Sequence, residues 1–222
     1  MPFPADLAAR IAATGAEGEL ARLLAIRFPD LVAYQNDAYA GRYLEFVERV
    51  ARRERELGLG SDLAESVARY LYKLMAYKDE YEVARLSLDP VFDRAVRDAV
   101  GPADSRWRLH PPALRALGLK RKLALGDWFR PVFFLLRSAR QLRGTPWDPF
   151  GRDPIRRLER ELVVEYRALI ERELATLSAA THARAVALAK LPDLIRGYED
   201  VKRRNVERYR AAVVETEAVR PL

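Results

Sequence analysis

The sequence predicts an all-α fold, a multi-helix bundle-like domain that contains a Pro-rich irregular or short extended segment around residues 102–125. Two observations support this prediction. Apolar residues recur every three or four positions through most of the chain, which is the spacing of one face of a helix. Seven of the 13 prolines lie between Pro102 and Pro154, so this part is the least regular. We expect one helical domain over residues 1–222.

The first part of the chain predicts three helices. Residues 7–14 and 20–28 both have apolar residues at helical spacing, and a loop with two glycines separates them. A longer pattern covers residues 30–57, with Asp30 as the expected N-cap. Gly41 lies inside this pattern and costs about 1 kcal/mol relative to alanine, so it predicts close packing or a bend.

The next helix has Ser61 as its expected cap and is predicted to include residues 70–86 as one continuous element. Lys78, Glu82 and Arg85 fall on the same face as its apolar residues. A buried charge is costly unless it is paired, and the i,i+4 and i,i+3 spacings allow Glu82 to contact both basic residues. The cluster therefore indicates either a paired polar edge of the core or the edge of an interaction surface.

The middle of the chain predicts two helices around an extended segment. Residues 90–100 begin with Asp-Pro and end at Gly-Pro, which is typical of a short helix. Residues 104–125 are expected to be extended or irregular, and residues 127–143 to be helical with Asp127 as the cap. The apolar face expected for this last helix consists of Trp128, Val132, Leu135, Leu136, Ala139 and Leu142.

The last third of the chain begins with a loop that is rich in proline and glycine, residues 143–153. Because this loop carries the large apolar side chains of Trp147 and Phe150, we expect it to be ordered. The helices predicted after it cover residues 154–177, 180–191 and 199–219.

Several charged residues around the loop are candidates for interaction: Arg143, Asp148, Arg157 and Arg160. The N-terminus of a helix bears partial positive charge, so arginines near the start of the 154–177 helix are unfavourable unless carboxylates or a bound anion compensate. Two interpretations remain open. Nearby acidic residues form an internal network with these arginines, or the arginines form a docking surface for a partner.

The positive charge of the chain is concentrated in its middle. The net charge is +7, and residues 101–161 carry 14 basic and 6 acidic side chains, whereas residues 1–100 carry 14 basic and 17 acidic ones. Such a segment could meet nucleic acid, an anionic cofactor or an acidic protein surface.

Several classes of site find no support in the sequence. The chain has no cysteine and only two histidines, so we expect no disulfide, no iron–sulfur cluster, no other metal site and no histidine-based triad. It has no glycine-rich phosphate loop and no other catalytic motif, and we expect no catalytic residue. We find no secretory signal and no run of 18 apolar residues, which predicts a cytoplasmic protein without a membrane partner.

A resemblance to a known family becomes specific at residues 74–86, LMAYKDEYEVARL. The other residues that carry it are Ala33-Tyr34-Gln35, Ala38-Tyr39-Ala40, Arg143-Gly144-Thr145, Asp148, Phe150-Gly151, Arg156-Arg157, Glu159-Arg160, Leu162, Tyr166, Leu191-Pro192-Asp193, Ile195-Arg196-Gly197-Tyr198 and Val201-Lys202. Together they resemble the C-terminal helical domain of the large, fused indolepyruvate:ferredoxin oxidoreductases, over about residues 25–210.

The resemblance implies a domain of a thiamine diphosphate-dependent 2-oxoacid:ferredoxin oxidoreductase. In that family the thiamine diphosphate and the iron–sulfur clusters are bound by domains upstream of this region, so the resemblance implies no cofactor in this chain and no catalytic activity from it alone. It implies a role in assembly, or in access of the electron carrier or substrate. The implied partners are the catalytic domains or subunits of the parent enzyme, with the acidic ferredoxin as a further candidate.

An alternative function is a stand-alone basic helical module that binds nucleic acid or another polyanion. The aromatic residues of the basic segment are spread among prolines and helix cores rather than interleaved as a stacking platform, which disfavours this alternative. A steep salt dependence of binding to random DNA would support it, because phosphate contacts release counterions.

Overall fold

The computed structural model is helical almost throughout the part of the chain that it describes, as the sequence predicts. The described residues are 5–91, 94, 98, 107–109, 123–125 and 127–218. They form two compact units, a first unit of Met1–Ala76 with Leu158–Leu222 and a second unit of Tyr77–Arg157. The expectation of a single domain over residues 1–222 stays a prediction.

Nine helices and two strands are present among the described residues. In chain order they are α1 (Ala5–Ala13), α2 (Gly18–Tyr34), α3 (Asp37–Glu56), α4 (Asp62–Met75), α5 (Glu80–Ser87), β1 (Trp107–Leu109), β2 (Leu123–Leu125), α6 (Arg130–Ser138), α7 (Pro154–Ala175), α8 (Ala179–Lys190) and α9 (Glu199–Ala218). Single 3-10 turns cover Asp127–Phe129, Ala139–Leu142 and Leu191–Leu194. Among the described residues, every helix is too short or too polar to cross a lipid bilayer.

Helix α4 is central to the core of the first unit, where it packs against α2, α3 and α8. The large side chains buried there include Phe28, Leu31, Tyr43, Phe46, Leu71, Tyr166 and Ile170. The hydroxyl of Tyr43 donates to the carbonyl of Ala68 at 2.9 Å, and that of Tyr166 donates to the carbonyl of Ala189 at 2.8 Å. These bonds satisfy the polar ends of two buried rings, which would otherwise be costly to bury.

The boundary between α2 and α3 differs from the prediction. Helix α2 continues through Pro29, so Asp30 lies inside it, and Asn36 caps α3 by accepting a first-turn amide N–H at 2.8 Å. A proline inside a helix removes one backbone hydrogen bond. The side chains of Phe28 and Leu31 are fully buried on either side of the proline, and their packing keeps this segment helical.

The predicted helix over residues 70–86 is also wrong, because α4 ends at Met75 and α5 begins at Glu80. Asp79 is the reason for the break. Its carboxylate caps α5 by accepting the amide N–H of Glu82 at 2.9 Å, and an N-cap residue must leave the helical backbone conformation. Ser61 occupies the N-cap position of α4, but its hydroxyl donates to Glu65 at 2.8 Å and does not cap the helix.

Helices α5 and α6 pack together in the second unit around Ala84, Leu88 and Phe133. Strands β1 and β2 form an antiparallel ladder that pairs Trp107 with Leu125 and Leu109 with Leu123. The predicted extended conformation is therefore confirmed at these positions, and the rest of residues 102–125 lies outside the described residues. Residues 90, 91, 94 and 98 are helical as predicted, and the end of that helix also lies outside them.

The predicted helix at residues 127–143 is a 3-10 turn, then α6, then a second 3-10 turn, and most of its expected apolar face is wrong. Phe133 is 1% exposed, whereas Trp128 is 72% and Leu135 is 70% exposed. Leu136 alone of the expected face packs against the buried cluster. Apolar residues occupy five consecutive positions, 132–136, so periodicity could not identify the buried side.

The remaining predictions of helices hold. Helices α7, α8 and α9 lie within two residues of the predicted bounds, residues 154–177, 180–191 and 199–219.

Gly41 inside α3 is a point of close packing, since a Cβ atom built there would lie 3.3 Å from a guanidinium nitrogen of Arg10.

Candidate functional site

A buried ion pair in the second unit joins Asp79, which lies before α5, to Arg143, which begins the loop of residues 143–153. The Nη2 atom of Arg143 lies 2.8 Å from Oδ1 of Asp79, and its Nε lies 2.5 Å from Oδ2. The side chains are 2% and 3% exposed. Two parallel N–H···O bonds of this kind are strong and geometrically specific. The guanidinium also lies over the ring of Tyr81, 5.3 Å from its centre.

Asp148 fixes the loop of residues 143–153 from inside. Its carboxylate accepts the amide N–H groups of Gly144 at 2.8 Å and Phe150 at 3.1 Å, and the hydroxyl of Tyr81 at 3.0 Å. Burial and the bond to Asp148 raise the pKa of Tyr81. A Cβ atom at Gly151 would lie 2.8 Å from an Asp148 oxygen, so the loop requires glycine there.

The aromatic rings continue this packing. The ring of Phe150 contacts the ring of Tyr81 edge to face, with 5.3 Å between the ring centres. Phe150 is therefore packed against the protein, as expected for an ordered loop. Trp147 is not packed in this way, because it is 81% exposed.

Two further ion pairs belong to α5. Glu82 binds Arg85 through two bonds of 2.6 and 2.8 Å, with side chains that are 10% and 20% exposed. Glu80 lies 3.3 Å from Arg156. Burial raises the pKa of the Glu80 carboxyl, and Arg156 acts in the opposite direction.

The predicted interaction residues therefore fall into two groups. Arg143, Asp148, Glu82 and Arg85 are buried or half-buried and have internal partners. Lys78 and Arg157 are exposed, and Arg160 is half-buried on α7 in the first unit. The predicted pairing of Glu82 with Arg85 is present in the structure. The guanidinium of Arg143 is enclosed by Asp79 and Tyr81, so it is not available for the docking surface that was suggested from the sequence.

Sequence reasoning missed Asp79 as the partner of Arg143. The sequence did contain a signal for the role of Asp79 as a helix cap, since it precedes Glu82 by three positions and this spacing is typical of a helix start. It also missed Glu54 in the first unit, whose fully buried carboxylate accepts from the amides of Leu63 and Ala64 at 2.9 and 2.7 Å. The Nε2 atom of His182 lies 2.7 Å from the same carboxylate, and 128 residues of separation leave no sequence signal for this pair.

The arrangement in the second unit is a structural brace. The buried carboxylates of Asp79 and Asp148 direct their oxygens at an arginine, a tyrosine hydroxyl and backbone amides, which stabilises one loop conformation. In the part of the chain that the structure describes, no three His, Cys, Asp or Glu residues are grouped to hold a metal ion.

Replacing Glu82 by alanine should test the ion pair that Glu82 forms with Arg85 on α5. The change leaves Arg85 without its carboxylate in a partly buried place, so we expect a loss of about 1–3 kcal/mol in the free energy of unfolding. Urea denaturation followed by tryptophan fluorescence measures it, because all three tryptophans, at 107, 128 and 147, belong to the second unit. A loss below about 0.5 kcal/mol would place the pair among solvated surface contacts.

Comparison with known proteins identifies a family but gives no activity. No curated protein and no solved structure matches the chain. The family model described as a family of unknown function, DUF6537, matches residues 20–215, which include most of the first unit, the whole second unit and all the residues of the brace. The chain therefore belongs to the DUF6537 family.

Proposed function

We propose that this chain is a non-catalytic helical domain of an indolepyruvate:ferredoxin oxidoreductase-like enzyme. In this proposal it supports assembly of the enzyme, or access of its electron carrier or substrate. The resemblance described above supports the proposal through residues that include Arg143, Asp148 and Gly151. These residues stabilise a loop, which is the role expected of a scaffold rather than of a reaction centre.

One observation carries the proposal, namely that a braced loop exposes a tryptophan. Arg143 and Asp148 are 4% and 5% exposed, whereas Trp147 between them is 81% exposed. A large apolar side chain on an ordered loop loses little conformational entropy on binding, and tryptophan is enriched among the residues that dominate interface energies. Trp128 and Leu135 are exposed in the same unit and add apolar surface.

Charge gives a reason to include the electron carrier among the partners. Residues 101–161 carry 14 basic and 6 acidic side chains, and Arg137 and Arg152 of this segment are exposed. Ferredoxins are acidic as a class, so we expect the basic segment to attract a ferredoxin electrostatically. This attraction should weaken as salt screens the charges.

Replacing Trp147 by alanine is the sharpest test of the loop. We expect binding to the catalytic polypeptides of the same organism's 2-oxoacid:ferredoxin oxidoreductase to weaken about tenfold or more, since interface tryptophans often contribute over 1 kcal/mol. Isothermal titration calorimetry measures the dissociation constant, and an unchanged unfolding midpoint shows that the fold is retained. Tyr198→Ala is the matched control, because Tyr198 is 71% exposed in the first unit. Equal weakening by both variants, or no binding by the wild-type chain, would contradict the proposal.

A further inference from the structure

The first unit contains a positively charged cleft beside α4. The cleft has a volume of about 680 Å³, which lies in the usual range of small-molecule sites, and it is open to solvent. Among the eight residues that line it are four cations, on α2, on α4 and after the 3-10 turn of Leu191–Leu194. They are Arg27, Arg69, Lys73 and Arg196.

The carboxylates near the cleft are shared among several cations. Glu19 accepts from Arg69 at 3.1 Å and also binds Arg22 through bonds of 2.6 and 2.7 Å. Asp193 lies 2.6 Å from Arg196 and 3.6 Å from Lys73. Each of these two carboxylates therefore serves two cations, which leaves an excess of positive charge.

Arg27 lies next to a hydrogen-bonded pair, Tyr72 and Asp30. The hydroxyl of Tyr72 donates to Asp30 at 2.6 Å, and the guanidinium of Arg27 lies 4.6 Å from the centre of the Tyr72 ring. The Nε atom of Arg27 is buried and has no hydrogen-bond partner in the described part of the chain. With Arg22 and Asp30 included, five cations still face three carboxylates, Glu19, Asp30 and Asp193.

Part of this charge is held in place by the fold. The ammonium group of Lys73 donates to the backbone carbonyls of Pro192 and Asp193 at 2.9 and 3.2 Å, so it stays at the wall of the cleft. Burial is the main cause that lowers the pKa of Lys73, and Arg196 adds to the shift by repulsion. Lys73 therefore connects α4 to the turn that carries Asp193.

We propose that this cleft binds a small phosphate-bearing anion. A phosphate group carries up to two charges and offers three acceptor oxygens, which suits several converging cations better than one carboxylate would. Arg69 and Arg196 are 49% and 70% exposed and can turn towards such a ligand, while Lys73 is fixed and Arg27 is stacked on Tyr72. Tyr70 also lines the cleft and offers a ring against which an apolar part of the ligand can pack.

Pyrophosphate binding to the full-length chain tests this proposal. Isothermal titration calorimetry at constant ionic strength should give saturable binding, tighter than that of acetate. The double variant Arg69→Gln/Arg196→Gln should weaken it about tenfold or more, since two charge-assisted contacts are lost. Both side chains are exposed, so the variant should keep the wild-type unfolding temperature.

Arg53→Gln is the matched control. The side chain of Arg53 is 40% exposed and lies 3.4 Å from Glu56 on α3, and Arg53 does not line the cleft. It should leave pyrophosphate binding unchanged. The proposal is overturned if acetate binds as tightly at the same ionic strength, if Arg53→Gln weakens binding as much as the double variant, or if the double variant has no effect. Binding of a short single-stranded oligonucleotide without binding of pyrophosphate would also overturn it, in favour of a nucleic-acid surface.

Discussion

Replacing Arg143 by alanine should lower the free energy of unfolding of the second unit by about 3–5 kcal/mol, because a buried ion pair that loses one member leaves an uncompensated charge. The side chains of Arg143 and Asp79 are 2% and 3% exposed, so water cannot replace the lost partner easily. The same substitution removes the guanidinium from the face of Tyr81.

Urea denaturation followed by tryptophan fluorescence measures this loss in the second unit, where all three tryptophans lie. Arg137→Ala is the matched control, since Arg137 is exposed on α6 and should change stability by less than about 0.5 kcal/mol. The double variant Arg143→Met/Asp79→Asn should cost less than the sum of its single changes, because neither charge is then left alone. A cost below about 1 kcal/mol for Arg143→Ala would show that the pair does not stabilise the unit.

Replacing Glu54 by alanine should cost the first unit about 3–5 kcal/mol, because its fully buried carboxylate has three partners. Two of them are amide N–H groups at the start of α4, at Leu63 and Ala64, which would lose their acceptor. The third is His182 on α8, so the carboxylate connects three helices.

The first unit contains no tryptophan, so its unfolding is followed by circular dichroism. Glu54→Gln should cost clearly less than Glu54→Ala, because one oxygen still accepts a hydrogen bond. Glu56→Ala is the control on the same helix, and it should change stability by less than about 0.5 kcal/mol, because Glu56 is exposed. If Glu54→Ala and Glu56→Ala cost the same, the buried carboxylate is not a stabilising centre.

The sequence could predict the helices wherever local patterns determine them. Helix α7 begins at an Asp-Pro pair and has a clear apolar face, and both features act within a few residues. The structure departs from the prediction where tertiary contacts decide. Packing of Phe28 and Leu31 carries α2 through Pro29, against the local tendency of proline to end a helix.

The ion pairs of the second unit were only partly predictable for the same reason. The pairing of Glu82 with Arg85 is local, at a spacing of three residues on one helix, and could be read from the sequence. Arg143 and Asp79 are 64 residues apart, and no periodicity relates them. Trp147 shows the converse, since its hydrophobicity predicted a contact, whereas it is 81% exposed among the residues that the structure describes.

Hydrogen–deuterium exchange of the chain, with and without the catalytic polypeptides of the oxidoreductase, tests the proposed function most directly. It locates the surface that a partner covers without any substitution. The proposal predicts slower exchange on binding at residues 143–153, around Trp147, and little change in α2 and α3. Unchanged exchange at saturating partner, or protection confined to the first unit, would contradict it.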